Sequence, residues 1–135
     1  MKLNNIFESA KNAANEAGQA ALDATLQAIE KWLEEFPKIE SYGLQISNFS
    51  FIMRLSPSLE IEMKGNHEDF PIARLEEIIA ENKKTSLTGM LFSAIRTAYR
   101  LHAKIATKPE DQLLIKMRLS LSPEIAVFIG KVRVG

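Results

Sequence analysis

The sequence predicts an α+β fold, in which a two-layer, four-stranded antiparallel sheet carries helices on one face. Residues 43–64 and 112–134 alternate apolar and polar side chains with a period of two, which is typical of half-buried hairpins. Residues 5–36 and 71–106 instead repeat apolar residues every three or four positions, which is typical of helices. A hairpin with one apolar face needs a helix to cover it, and 135 residues are enough for one domain, 1–135.

The first element is a long N-terminal helix over residues 5–36. Its apolar or small positions share the spacing of a helix face: Leu3, Ile6, Phe7, Ala10, Ala13, Ala14, Ala17, Ala20, Ala21, Ala24, Ala28, Ile29, Trp32, Leu33 and Phe36. Pro37 is expected to end it, because a proline disfavours helical backbone at the residue before it. Gly18 fits either close packing against another backbone or a break in the helix.

A helix of that length is longer than the sheet it would cover. It would span roughly 48 Å at ~1.5 Å per residue. A strand of about eight residues spans only about 27 Å. The overhanging turns therefore need something to contact, and three occupants remain open: a second protomer, the same chain folded back near Gly18, or a membrane surface.

The first hairpin, residues 43–64, turns at Ser56-Pro57-Ser58. Its alternation places Phe51 and Met53 on the helix-covered face with Ile61. Leu44 and Ile46 are out of phase with this face, which predicts a β-bulge near Ser47-Asn48.

Two helices are predicted within residues 71–106. Pro71 suits the first helical position, Ser86 suits the N-cap of the second helix, and Thr107-Lys108-Pro109 is expected to stop it.

The second hairpin, residues 112–134, turns at Ser122-Pro123-Glu124 and directs Met117 and Val127 toward the helices. Gly130 allows a bulge that would turn Lys131 and Arg133 outward. The open face would carry charged side chains and four apolar ones, which are either scattered or form a patch: Ile52, Leu114, Ala126 and Phe128.

The two hairpins match at a fixed offset of 66 residues, as between Leu55-Ser56-Pro57 and Leu121-Ser122-Pro123. Seven alternating apolar positions recur at the same offset, and the helices before the hairpins also fall in register. This pattern predicts an internal repeat of two helix–hairpin units.

Composition and motifs exclude several functional classes. The chain has no cysteine, so disulfides and thiolate chemistry are excluded, and no apolar run approaches the ~20 residues of a spanning helix. The start of the chain lacks the apolar centre of a secretory signal, and we expect a cytoplasmic, bacterial-type protein. His67-Glu68-Asp69 is interpreted as a polar loop before a helix rather than a metal site. We predict no catalytic residue, metal or cofactor, and no enzymatic activity.

Basic residues are the best candidates for a binding site. Residues 1–82 carry 7 basic and 14 acidic residues, whereas residues 83–135 carry 10 basic and 3 acidic residues. The candidate residues are Arg96, Arg100 and Lys104 on one helix face, and Lys116 and Arg118 on the last hairpin. A cluster of basic side chains of this kind is typical of a surface that binds the phosphates of nucleic acids. We favour instead an internal role, in which Arg96 and Arg100 pair with acidic residues of the first helix: Glu30, Glu34 and Glu35.

The sequence thus favours a non-enzymatic protein-interaction module that forms a homo-oligomer, most simply a homodimer. One alternative is binding of RNA or DNA through the basic C-terminal half. The other alternative is transport of a hydrophobic ligand held between the sheet and the alanine-lined helix.

Overall fold

The computed structural model describes residues 2–106 and 112–130, with side chains from residue 18 onward. The elements, in chain order, are α1 (Lys2–Leu33), α2 (Phe36–Ser41), β1 (Gln45–Ile52), β2 (Ser58–Asn66), α3 (Ile72–Glu81), α4 (Leu87–His102), β3 (Gln112–Leu119) and β4 (Pro123–Ile129). The strands form one four-stranded antiparallel sheet in the order β1-β2-β3-β4. The predicted α+β class is therefore confirmed.

Both predicted hairpins are present, and β2 pairs with β3 although α3 and α4 intervene in the chain. The register of β1 on β2 shifts between Ile46 and Asn48, which confirms the predicted bulge. Leu59 lies opposite Leu119, so the two hairpin turns lie at the same end of the sheet.

The hydrophobic core lies between β2, β3 and the helices. Cross-strand partners share a face of the sheet, and on this face the side chains of β2 and β3 are buried. The core residues are Ile29, Phe36, Ile39, Leu44, Leu59, Ile61, Met63, Phe70, Leu75, Ile78, Leu87, Leu91, Phe92, Ile95, Leu113, Ile115, Met117 and Leu119.

The N-terminal helix ends earlier than predicted. It continues without interruption through Gly18 and ends at Leu33, and the chain becomes helical again at Phe36. Pro37 therefore does not end the helix; it lies in the first turn of α2, where its missing N–H has no helical partner to lose.

The N-termini of α3 and α4 agree closely with the prediction, whereas α1 begins at Lys2, three residues before the predicted start. Ser86 is the N-cap of α4, and its Oγ accepts a hydrogen bond from the Gly89 N–H at 3.0 Å. Pro71 occupies the N-cap position of α3, one residue before the predicted one. Helix α4 ends at His102, before the predicted stop at Thr107-Lys108-Pro109, because the chain already turns there and the Lys104 N–H donates to the Leu101 carbonyl oxygen. Residues 107–109 and the outward Lys131 and Arg133 lie outside the described residues.

One side of the sheet departs from the prediction. Phe51 and Met53 were expected against the helices, but they are 45% and 61% exposed. The described side chains of the helices pack against β2, β3 and part of β4, and they leave β1, the edge strand on the other side, exposed. Alternation identified the correct face of β1, since Phe51 pairs with buried Leu59, but not the width of the helical layer.

Helix α1 extends beyond the core, as its length predicts. Its C-terminal part is anchored by buried Ile29 and by Trp32, whose Nε1 donates to the Ser120 carbonyl oxygen at 3.2 Å. Upstream of Leu22, the side chains of residues 18–21 are exposed.

Candidate functional site

An uncovered apolar surface lies along edge strand β1. We define the β1 patch as Ile46, Phe49, Phe51, Met53 and Leu55, all of which are exposed. The three members within the strand pair with the buried side chains of Met63, Ile61 and Leu59, so they lie on the core face of the sheet. These three side chains thus extend the hydrophobic core beyond the described helices, and Met53 and Leu55 continue the exposed apolar positions past the end of the strand.

The free edge of β1 is partly blocked for strand pairing. The Phe49 N–H donates to the Oδ1 of Asn48 at 2.9 Å, so this backbone donor is satisfied within its own strand. The bulge lies directly beside it, where the Ser47 Oγ donates to the Glu62 carbonyl oxygen at 3.4 Å. Bulges of this kind protect an edge against the addition of another strand, which leaves the apolar face as the more accessible surface.

The opposite face of the sheet is polar, and two of its cations are paired with carboxylates. Lys116 Nζ lies 3.4 Å from Glu62 Oε1, and Arg118 Nη2 lies 2.9 Å from Glu60 Oε1. These side chains line a shallow groove of about 410 Å³ that also contains Glu124, so it holds three carboxylates and two cations. Such a groove does not favour an anionic polymer.

The four apolar residues expected on this open face do not form one patch. Phe128 is 45% exposed and lies opposite buried Leu114, and Lys116 Nζ lies 5.4 Å from its ring centroid. Ile52 lies at the other side of the sheet, opposite Ser58.

The structure does not bring the five predicted basic residues together. Lys116 and Arg118 lie on the open face of the sheet, whereas Arg96 and Arg100 lie on α4 and Lys104 follows it in the helical layer. Nucleic-acid binding by the whole set remains a prediction, but it would require contacts on two opposite faces of the molecule.

The expected pairing of Arg96 and Arg100 with the first helix was wrong. Among the described residues, the ion pairs are the two on the open face. Glu35 instead lies at the N-terminus of α4, where its carboxylate accepts hydrogen bonds from the N–H groups of Leu87 and Thr88, each at 2.9 Å. The Thr88 hydroxyl donates to the same carboxylate at 2.8 Å.

A second groove lies between α4 and β4. It has a volume of about 680 Å³, an apolar lining and two basic side chains, Lys84 and Arg96. Its apolar residues are Ile79, Met90, Ala94, Ala98, Leu101, Ile125 and Val127. The predicted carrier site, between the sheet and the alanine-lined α1, is a different location, and carriage of a hydrophobic ligand remains a prediction.

His67 contacts the helical layer rather than lying in an open loop. Its Nδ1 lies 2.7 Å from the Tyr99 hydroxyl oxygen, and the two rings meet edge to face at 5.5 Å. Across the described residues, no group of three potential metal-ligating side chains is present. Burial raises the pKa of Tyr99 from 10.0 to about 12.

The Tyr99 environment predicts a change in alkaline stability. The folded state holds the Tyr99 proton more tightly than the unfolded state, so this contribution is complete below pH 10.0 and is lost as the pH rises toward about 12. Urea midpoints measured across this interval should fall more steeply for the wild type than for Tyr99→Phe. Both proteins retain Tyr42 and all lysines, so the titration of these groups affects both equally. Parallel plots of urea midpoint against pH would therefore contradict the raised pKa of Tyr99.

No protein-family model matches the chain, and no similar protein is found among curated proteins or among solved structures. No helix in the described part of the chain has the length and hydropathy that crossing a bilayer requires. The β1 patch and the Glu35 cap are the features that sequence reasoning missed. The one available signal was that β1 contains no charged residue, although it lies at the edge of the sheet.

Proposed function

We propose that the protein is a non-enzymatic interaction module that self-associates, and that the β1 patch is its docking surface. The supporting observation is that core-facing aromatic side chains lie uncovered on an edge strand, with Phe49 58% and Phe51 45% exposed. With ~200 Å² for a full aromatic side chain, the whole patch exposes roughly 500 Å² of apolar surface. The largest apolar patch on a typical monomer covers ~300–600 Å² and is often functional, so this patch is a candidate interaction site.

The alternative functions have less support. Lys116 and Arg118 are already paired with carboxylates, which weakens the case for nucleic acid. The internal repeat and the cytoplasmic location stay predictions, and the proposed self-association requires neither. A homodimer is the simplest assembly, because one twofold axis covers both patches at once.

Phe51→Glu is expected to weaken self-association strongly. A charged side chain in the centre of an apolar interface must be desolvated without a partner, and central aromatic residues contribute about 2 kcal/mol or more, or about 30-fold in Kd. Sedimentation equilibrium over a concentration series would measure the change in Kd.

Phe128→Glu is the matched control, because Phe128 is equally exposed, at 45%, but lies on the opposite face. Its effect on Kd should stay within about 3-fold, as for a residue outside an interface. Equal weakening by both variants, or a stronger effect of Phe128→Glu, would contradict the assignment of the docking face.

A further inference from the structure

The course of α1 indicates what covers the β1 patch. Ala21 precedes buried Thr25 by one helical turn and lies on the same side of the helix, yet it is exposed. The helix has therefore left the core at this point. It continues to Lys2, a further ~24 Å for residues 2–17 at ~1.5 Å per residue.

The sequence of this extension suits an apolar partner. Residues 2–17 carry two basic and two acidic side chains, so their net charge is zero. Their apolar positions are aliphatic, aromatic or small and follow helical spacing: Leu3, Ile6, Phe7, Ala10, Ala13, Ala14 and Ala17. Alanines allow a helix backbone to approach a surface that itself presents large side chains such as Phe49 and Phe51.

No side chain among the described residues covers the patch. With α1 continuous through Gly18, the patch stays exposed, and Trp32 anchors the helix at the β3–β4 turn. The blocked Phe49 N–H and the bulge disfavour pairing of β1 with another strand, so the occupant packs on the face. A helix on this face would cover β1 in the same way as the helices of the core cover β2 and β3.

We propose that the N-terminal half of α1 from a second copy of this chain packs on the β1 patch, in a reciprocal exchange. This inference rests on the proposed self-association and names the partner element. Two patches of roughly 500 Å² each, with the helices that cover them, reach the ~800 Å² per partner of a stable interface. Strand β1 carries no charge and the helix extension is neutral, so the two surfaces meet without like-charge repulsion.

Engineered cysteines test the exchange directly, because the chain has no cysteine of its own. Single variants in or next to the helix extension, Ala14→Cys, Ala17→Cys and Ala21→Cys, are each mixed with a mass-tagged Met53→Cys protein and oxidised mildly. Heterodisulfides are quantified by mass spectrometry. At least one helix position should form the heterodisulfide about tenfold more than it does with tagged Phe128→Cys on the opposite face, because docking raises the effective thiol concentration.

The remaining outcomes separate this inference from the proposed function. Met53→Cys homodisulfides that dominate in an intact dimer would indicate β1 against β1, which overturns the helix exchange and keeps the self-association. An intrachain disulfide in a monomeric Ala17→Cys/Met53→Cys double variant would place the helix on its own strand and overturn the exchange. A monomeric wild type, together with cysteine variants that form no heterodisulfide above the Phe128→Cys level, would overturn both.

Discussion

Replacing Met117 with aspartate is expected to unfold the protein. Met117 lies in the centre of β3, is 2% exposed, and pairs with Ile61 on one side and Ile125 on the other. A carboxylate there would lie in the hydrophobic core, and burying it costs several kcal/mol. Because a domain of this size is stable by only ~5–15 kcal/mol, most of that stability would be lost. Circular dichroism and a urea titration would measure the loss.

Met53→Asp is the matched control for this substitution. The residue and the introduced charge are the same, but Met53 is 61% exposed and follows the end of β1. At a protein concentration low enough to dissociate the proposed dimer, its free energy of unfolding should stay within ~0.5 kcal/mol of wild type, as is typical of surface changes. Similar midpoints for Met53→Asp and Met117→Asp would mean that the assignment of inner and outer positions is wrong.

Removing the Glu35 carboxylate is expected to produce the second-largest loss. Glu35→Ala leaves the N–H groups of Leu87 and Thr88 and the Thr88 hydroxyl without their acceptor, and both residues are fully buried. Each buried donor left unsatisfied costs about 1–3 kcal/mol, so a total near 3 kcal/mol is expected. The favourable charge at the positive end of the helix dipole is also lost. Urea unfolding would measure the difference.

Glu34→Ala provides the control, since Glu34 is the exposed neighbour with the same charge. Its loss should be a few tenths of a kcal/mol, as for other exposed positions. Glu35→Gln keeps an acceptor but loses the charge, so its loss of stability should lie between those of Glu34→Ala and Glu35→Ala. Equal free energies of unfolding for Glu34→Ala and Glu35→Ala would contradict the proposed stabilisation of α4 by the Glu35 carboxylate.

Local sequence patterns were sufficient to predict most of the fold. Alternation over 43–64 and 112–134 located both hairpins, and the phase difference between Ile46 and Phe49 located the bulge. Ser86 was correctly identified as a cap, because the hydrogen bond it accepts comes from a residue only three positions away. Each of these features depends on neighbours in the chain, which is why the sequence alone reveals them.

The misassigned features depend on contacts between distant segments. Alternation states which residues share a face, but it does not state that β1 lies beyond the helices, so Phe51 and Met53 were placed in the core. Glu35 was assigned to a cationic partner because charge suggests ion pairs, whereas it binds backbone donors 52 and 53 positions away. The basic residues of α4 and β3 were grouped by sequence proximity, although the two layers separate them.

Self-association through the β1 patch is the central claim, and the molar mass of the wild type in solution tests it most directly. Light scattering after gel filtration at micromolar concentration should give twice the 15.2 kDa mass of the chain. The mass should return to that of one chain in Phe51→Glu and remain doubled in Phe128→Glu. A wild type that elutes as a 15.2 kDa monomer at these concentrations would contradict the account.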